Sequence, residues 1–339
     1  MNEQARRPRV LIISLGGTIA STSSPSVSGV VPQLSAHDLV TAVPALDGVA
    51  EFETMSFRQV PSGDLDFADV IALAQFIETR VAGGIDGVVI TQGTDTIEET
   101  SFALDVLLDV VVPVVVTGAM RNPTLASPDG PGNLLAAVKV AASPIARGLG
   151  CLVVLNDEVQ AARFVRKTHS SSLATFQSPG AGPLGWVSEE RVRIVLRCAP
   201  LERITISRSD TLSPVALITC TLGDDGRMLG GLRDLGYVGA VIDAFGAGHV
   251  PSKMVRAIEE LASSMPVVLC SRTGAGEVLA HTYGFAGSES DLLSRGVTSG
   301  GALDGRKARV ALTLALAASP EPRRAVELFA KVRESLSRD

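Results

Sequence analysis

"RVLIISLGGT", residues 9–18, decides how the rest of the chain is read. An apolar, β-branched run without polar alternation marks a strand buried on both faces. This one stops at Gly16–Gly17 and then presents Thr18. Runs of the same kind recur at "IDGVVIT" (85–91), "VPVVVTG" (112–118) and "GCLVVLN" (150–156). Between the first two lies "LDFADVIALAQFIETRVAGG", where Val70, Leu73, Ala74, Ile77 and Val81 share one helical face before Gly83–Gly84 end the helix. Strands alternating with helices in this way predict an α/β fold: a doubly wound, mostly parallel sheet with right-handed crossovers.

The rhythm changes over 186–213. "WVSEERVRIVLRC" alternates and carries charge, so it reads as an antiparallel edge or hairpin running into an interdomain linker. Strands then resume at "PVALITC" (214–220), "YVGAVIDAF" (237–245) and "MPVVLCS" (265–271). "KMVRAIEELASS" (253–264) is a helix with Met254, Ile258 and Leu261 on one side, and "KARVALTLALAAS" (307–319) and "AVELFAKVRESL" (325–336) are closing helices. The expected organisation is a larger N-terminal domain over 1–204, a linker over 205–213, and a smaller C-terminal α/β domain over 214–339.

A chain of 339 residues accommodates two such domains. Its residues are 46% hydrophobic but only 4% aromatic, so the core must be Val, Leu, Ile and Ala. A net charge of −6 with no dense Lys/Arg run argues against a nucleic acid or an anionic membrane as partner. Cys151, Cys198, Cys220 and Cys270 are scattered without a C-x-x-C pair. Cys151, Cys220 and Cys270 edge apolar runs and read as buried free thiols rather than zinc ligands. His37, His169, His249 and His281 are too dispersed for a metal cluster. The first apolar run is only about seven residues long, with no A-x-A-like cleavage site after it. Nothing approaches the ~18 apolar residues of a membrane helix. A soluble cytoplasmic protein is expected.

Ligands of open parallel sheets sit beyond the carboxyl ends of the strands. Thr18 falls there, and so does "TQGTDTIEET", where a strand ends at Thr91 and a helix begins near Ile97. Thr96 with Glu99 has the capping-box spacing. Thr94 and Asp95 thus precede a helix N-terminus, where free backbone N–H groups favour a carboxylate or an oxyanion. A threonine hydroxyl needs a neighbouring group to take its proton. Thr94 and Asp95 do not supply that base for each other, whereas a desolvated lysine in the same pocket would. Lys167 in "RFVRKTHSSSLATF" is the candidate. Each feature alone has a plainer reading: "GGT" a turn, Thr94–Asp95 a helix start, Lys167 with Arg163 and Arg166 a solvated basic face. His249 and His281 flank "SRTGAGEV" and read equally as site neighbours or as structure. The sequence lacks the G-x-G-x-x-G and G-x-x-x-x-G-K-[ST] phosphate loops.

Together, "SLGGTIAS", "VVITQGTDTIEETSFALDVLL", "PVVVTGAMRNPTLASPDGPGNLLAAV", "RKTHSSSLATFQSPGAGPLGWV" and the "SRTGAGEV" and "YGFAG" segments resemble the bacterial-type L-asparaginases and glutaminase-asparaginases. The match runs in order over roughly residues 9–315. The resemblance implies hydrolysis of the L-asparagine side-chain amide to L-aspartate and ammonia, without cofactor or metal. It makes Thr18 the nucleophile, and Thr94, Asp95 and Lys167 the remaining catalytic residues, Asp95 also gripping the substrate α-amino group. Ser62 would bind the α-carboxylate, with Gly63 beside it. Backbone groups near Thr94 and Ala119 would hold the oxyanion. Glu277 would reach the amino group from a neighbouring subunit of a homotetramer, a dimer of dimers.

Two departures stand out. Relatives carry a tyrosine in the loop after Thr18, and here Val30 stands at the corresponding place, with Ser26 or Ser28 as stand-ins and Gly29 supplying mobility to a substrate lid. An amide side chain often follows the serine, where this chain has Gly63. Alternatives within the class are a glutaminase or another amide hydrolase. A tRNA-dependent amidotransferase subunit fits less well, since no extra N-terminal domain precedes the first strand. From another class comes a non-catalytic amino-acid-binding homologue, which the missing tyrosine motivates and the retained Thr18, Thr94, Asp95 and Lys167 oppose.

Overall fold

The first apolar run forms β1 (Arg9–Ser14), and Val10, Leu11, Ile12 and Ile13 are buried on both of its faces. The computed structural model describes residues 6–23, 30–206 and 212–336. After Gly16–Gly17 come the short β2 (Ser21–Ser23) and β3 (Val30–Pro32), paired antiparallel, then α1 (Ala36–Thr41) and β4 (Glu51–Ser56). Next is α2 (Phe67–Ala82), whose start is fixed by a reciprocal capping box between Asp66 and Asp69. It buries Val70, Ile71, Leu73, Ala74 and Ile77, with Val81 half-buried at the end of the stripe. There follow β5 (Gly87–Thr91), α3 (Ile97–Leu107), β6 (Val114–Thr117), α4 (Gly130–Ala141) and β7 (Cys151–Leu155). A tight turn with Asn156 and Asp157 at φ 52° and 60° sends the chain back as β8 (Glu158–Ala161). The two-residue β9 (Arg166–Lys167) and β10 (Phe176–Gln177) make a small hairpin, and β11 (Gly185–Ser188) and β12 (Arg191–Ile194) close the sheet edge.

The sheet order is β12-β11-β8-β7-β6-β5-β1-β4, parallel from β4 to β7 and antiparallel from β7 outward. The hairpin expected from residue 186 is therefore present, but beyond Ile194 the described residues up to 206 carry no strand. Residues 207–211 of the expected linker lie outside the described residues. What positions a site is the place of β1. The chain leaves it, runs out to β4 on one side, and returns to β5 on the other.

The chain divides into two compact units, 1–200 and 201–339. The second contains β13 (Val215–Thr219), β14 (Gly239–Ala244), α5 (Val255–Ala262), β15 (Val267–Ser271), α6 (Glu289–Ser294), β16 (Thr298–Ser299), α7 (Gly305–Ala318) and α8 (Pro322–Ser335). Its strands are parallel in the order β13-β14-β15-β16. Cys151, Cys220 and Cys270 are free and buried, and Cys198 is half-buried. Burial, with help from Asp224 and Asp243, pushes the Cys220 thiol up to about 12. Among the described residues no helix is long and apolar enough to cross a membrane.

Candidate active site

The double glycine is a turn that only glycine can make. Gly16 and Gly17 have φ of 101° and 84°, in the left-handed region closed to most side chains. Space forbids a side chain as well: a β-carbon on Gly16 would lie 2.6 Å from the Val60 carbonyl oxygen, and one on Gly17 only 2.0 Å from the Gly93 nitrogen. The turn after β1 is thereby pressed against the loop after β5. Thr18 opens a single 3-10 turn, Thr18–Ala20, and is half-buried. The chain leaving it is held at its base: Ser21 Oγ donates to the Gly17 carbonyl at 2.8 Å, and Gln33 N donates to the Ala20 carbonyl at 2.8 Å. Val30 has its main chain in β3, paired with Ser23, while its side chain and all of Ser26, Ser28 and Gly29 lie outside the described residues.

Thr94 and Asp95 sit in a 3-10 turn, Thr94–Thr96, that leads straight into α3. The capping box expected of Thr96 and Glu99 does not form, because Thr96 makes no side-chain cap bond. Its hydroxyl instead donates to the Ser62 carbonyl at 3.0 Å, tying the loop after β4 to the loop after β5. Gly93 faces the same serine, since a β-carbon there would stand 2.7 Å from Ser62 Oγ. On the other side, a β-carbon on Gly118 would meet the Thr94 methyl at 3.2 Å, which places buried Ala119 one residue from that contact. Thr18, Ser62, Thr94, Asp95 and Ala119 thus stand on loops in mutual contact at the carboxyl ends of β1, β4, β5 and β6. Gly63 faces open space, with nothing within 4 Å of a β-carbon.

Lys167 reaches this cluster from β9. Its Nζ donates to Thr94 Oγ1 at 2.9 Å and to Asp95 Oδ1 at 2.6 Å. Its backbone N–H donates to Oε2 of Glu98, a buried carboxylate in the first turn of α3, at 3.0 Å. Buried Thr175 braces the hairpin, accepting from Thr168 N at 2.8 Å. Lys167 is therefore no member of a solvated basic face. Neither is Arg163, which is buried, pairs with Asp105 at 3.4 Å and donates to the Ala199 carbonyl at 2.6 Å. Burial holds the Asp105 carboxyl above its ordinary range, against the opposing pull of Arg163 and of the Cys151 N–H it accepts. Asp105 thereby ties α3 to β7 through Cys151 N and to the segment after β8 through Arg163.

Lys167 Nζ is the donor in its bond to Thr94 Oγ1, so the hydroxyl accepts there and its own proton is directed to a third group. An amine held between a hydroxyl and a carboxylate is a competent proton relay, taking a neighbouring nucleophile's proton through the hydroxyl when neutral and returning it as the ammonium. Sequence reasoning overlooked Glu98, Asp129 and Asn133. The only signal for the last two was the "PDGPGN" helix start. Glu277 stands in the second unit, exposed on the segment between β15 and α6. His249 Nε2 lies 3.2 Å from the buried Glu289 carboxylate, and its ring packs against Tyr283 and Phe285, a structural prop of that segment. His169 Nδ1 accepts from Ser171 N and Ser172 N, both at 3.0 Å, and shapes the loop beyond Lys167. Among the described residues no three His, Cys, Asp or Glu side chains gather as metal ligands would.

Family comparison reaches both units. The asparaginase N-terminal domain family matches residues 9–199, and the glutaminase/asparaginase C-terminal domain family matches residues 214–329, a pairing that defines an amidohydrolase. A probable L-asparaginase of Deinococcus radiodurans is 38% identical over 92% of this chain and 94% of its own. A probable periplasmic L-asparaginase of Haemophilus influenzae is 35% identical over 93% of this chain and 90% of its own. The crystal structure of a probable cytoplasmic L-asparaginase from Campylobacter jejuni superposes with a TM-score of 0.86 at 33% identity, covering 96% of this chain and all of the other. The chain belongs to the asparaginase family.

Proposed function

We propose that the protein hydrolyses L-asparagine to L-aspartate and ammonia by threonine-dependent acyl transfer. The observation that carries this reading is Lys167 Nζ bridging Thr94 Oγ1 and Asp95 Oδ1, on a loop packed directly against the Gly17 turn that presents Thr18. Thr18 Oγ attacks the side-chain amide carbon as its proton passes through the Thr94 hydroxyl to the neutral Lys167 amine, and the bond to nitrogen breaks as the same pair returns that proton to the leaving group, which departs as ammonia. Water then cleaves the Thr18 ester, releasing aspartate and restoring the hydroxyl. Backbone N–H groups near Thr94 and Ala119 hold the oxyanion, which is where such an enzyme gains most of its rate. Ser62 takes the α-carboxylate and Asp95 the α-amino group, with Gly63 leaving an adjoining space. Glu277 of the partner subunit completes the amino-group contacts in a homo-oligomer, a dimer of dimers. A cytoplasmic location fits the free thiols Cys151, Cys220 and Cys270 and is tested by cell fractionation.

The test is ammonia release from L-asparagine, D-asparagine and L-glutamine by the native protein and by Thr18→Ala. L-asparagine is expected to be the preferred substrate, and Thr18→Ala to be inactive. Preference for L-glutamine would make the protein a glutaminase. Aspartate binding without ammonia release from any substrate would make it a binding protein, and full activity in Thr18→Ala would remove the nucleophile assignment.

A further inference from the structure

We infer that Asp129 and Asn133 are positioning residues that aim the peptide N–H and C=O of Ala119 at the substrate amide; this rests on the amidohydrolase reading of the site. The loop carrying Ala119 leaves β6, and the chain then enters α4 with Pro131 in its first turn. Asp129 occupies the N-cap position of α4, yet its side chain makes no cap bond. It turns back to the loop: Oδ2 accepts from Met120 N at 3.0 Å and Oδ1 from Arg121 N at 2.8 Å. One turn further along, buried Asn133 donates from Nδ2 to the Gly118 carbonyl at 2.9 Å and to Asp129 Oδ2 at 3.0 Å. Its Oδ1 accepts from Asn156 N at 3.0 Å, at the turn between β7 and β8. With a donor on one side and acceptors on the other, only one orientation of the Asn133 amide satisfies all its partners.

These bonds grip the two peptide units that meet at Ala119. Gly118 C=O and Ala119 N–H share one planar trans unit and point in opposite directions, as do Ala119 C=O and Met120 N–H in the next. Holding Gly118 C=O on Asn133 therefore turns Ala119 N–H away from α4. Holding Met120 N–H on Asp129 turns Ala119 C=O away in the same manner. One residue before, Gly118 packs on the methyl of Thr94. An unsubstituted amide offers one carbonyl acceptor and an NH2 donor, so a fixed N–H and a fixed C=O on one residue form its complement. An ester of the same acid keeps the carbonyl but has no N–H to offer the Ala119 C=O.

The experiment compares L-asparagine with the β-methyl ester of L-aspartate, using the full-length native protein, Asp129→Asn and Asn133→Asp. Ammonia and methanol release are followed, and folding is checked by thermal melting. For L-asparagine kcat is expected to fall about 10²-fold, the scale of losing one fixed oxyanion-type contact. KM should move less than about threefold, because the groups holding the α-carboxylate and α-amino group are untouched. Ester turnover should fall less, so that the amide-to-ester ratio drops about tenfold. A purely structural role would lower both substrates in the same proportion, and that result, or native rates in a folded variant, overturns the inference. Should Asn133→Asp fail to fold, Asp129→Asn at its half-buried site decides alone. A native protein inactive on both substrates removes the underlying reading and the inference with it. An active native protein whose variants keep the native ratio removes the inference only.

Discussion

In the first unit the strand order doubles back at β1, with β4 on one side and β5 on the other; in the second, β13 to β16 follow one another as they do along the chain. Where the order reverses, the loops beyond the carboxyl ends diverge and open a crevice. Thr18, Ser62, Thr94 and Asp95 stand on those loops, and Lys167 reaches across to Thr94 and Asp95. The second sheet has no reversal, and two polar groups past its strand ends, Arg272 and Asp304, are spent on the fold itself. Arg272 donates to the Cys220 carbonyl at 2.8 Å and covers the Phe245 ring at 4.4 Å. Asp304 caps α7 through Arg306 N and Lys307 N, at 3.0 and 3.1 Å, and pairs with buried Lys307 at 3.1 Å. Polar residues past the strand ends thus converge on the proposed site in one sheet and brace the fold at Arg272 and Asp304 in the other, as the difference in strand order allows.

Substitutions in the two places should separate activity from stability. Lys167→Met is expected to lower kcat for L-asparagine about 10³–10⁴-fold, the range of a lost acid–base group, with an unchanged denaturant midpoint. Asp304→Ala should do the reverse, costing about 2 kcal/mol by removing the cap and one partner of buried Lys307, while activity per folded molecule stays native. Calorimetry beside an ammonia assay reads both.

Asp105 gives a smaller, pH-dependent effect. Its pKa is raised in the folded state by burial, so between its ordinary and raised values the folded protein binds more protons than the unfolded one. Stability from this group therefore falls as pH rises through that window and returns as pH falls. Unfolding free energies of the native protein and Asp105→Asn, from urea titrations, should diverge across it by about 1.4 kcal/mol for each pH unit of its width. Smallest is Gly63→Gln, which fills open space beside Ser62 and should lower KM about threefold to tenfold through one added hydrogen bond, without loss of stability.

Much of this was legible in the sequence because central strands have no polar face. β1, β5, β6, β7 and β15 coincide with apolar runs, as do β14, interrupted only by Asp243, and the edge strand β13. β4 escaped because its residues Glu51–Ser56 form an exposed edge with no such run. β8 escaped because it begins immediately after the Asn156–Asp157 turn, and β9 and β10 because two residues carry no periodicity. Thr18, Thr94 and Asp95 were visible as polar residues ending apolar runs. That Lys167 meets them was not, because the two-residue hairpin that delivers it and the Glu98 contact that sets its height depend on long-range packing. The Thr96–Glu99 spacing misled for a related reason: Ser62, distant in sequence, takes the Thr96 hydroxyl.

The central claim is that Thr94, held by Lys167 at the strand reversal, takes part in the chemistry. Thr94→Val tests it most directly, because the substitution keeps the buried methyl that packs on Gly118 and removes only the hydroxyl. In steady-state ammonia release from L-asparagine the account predicts a fall in kcat of about 10³-fold or more with an unaltered melting temperature. A folded Thr94→Val protein that keeps more than about a tenth of the native kcat would contradict it.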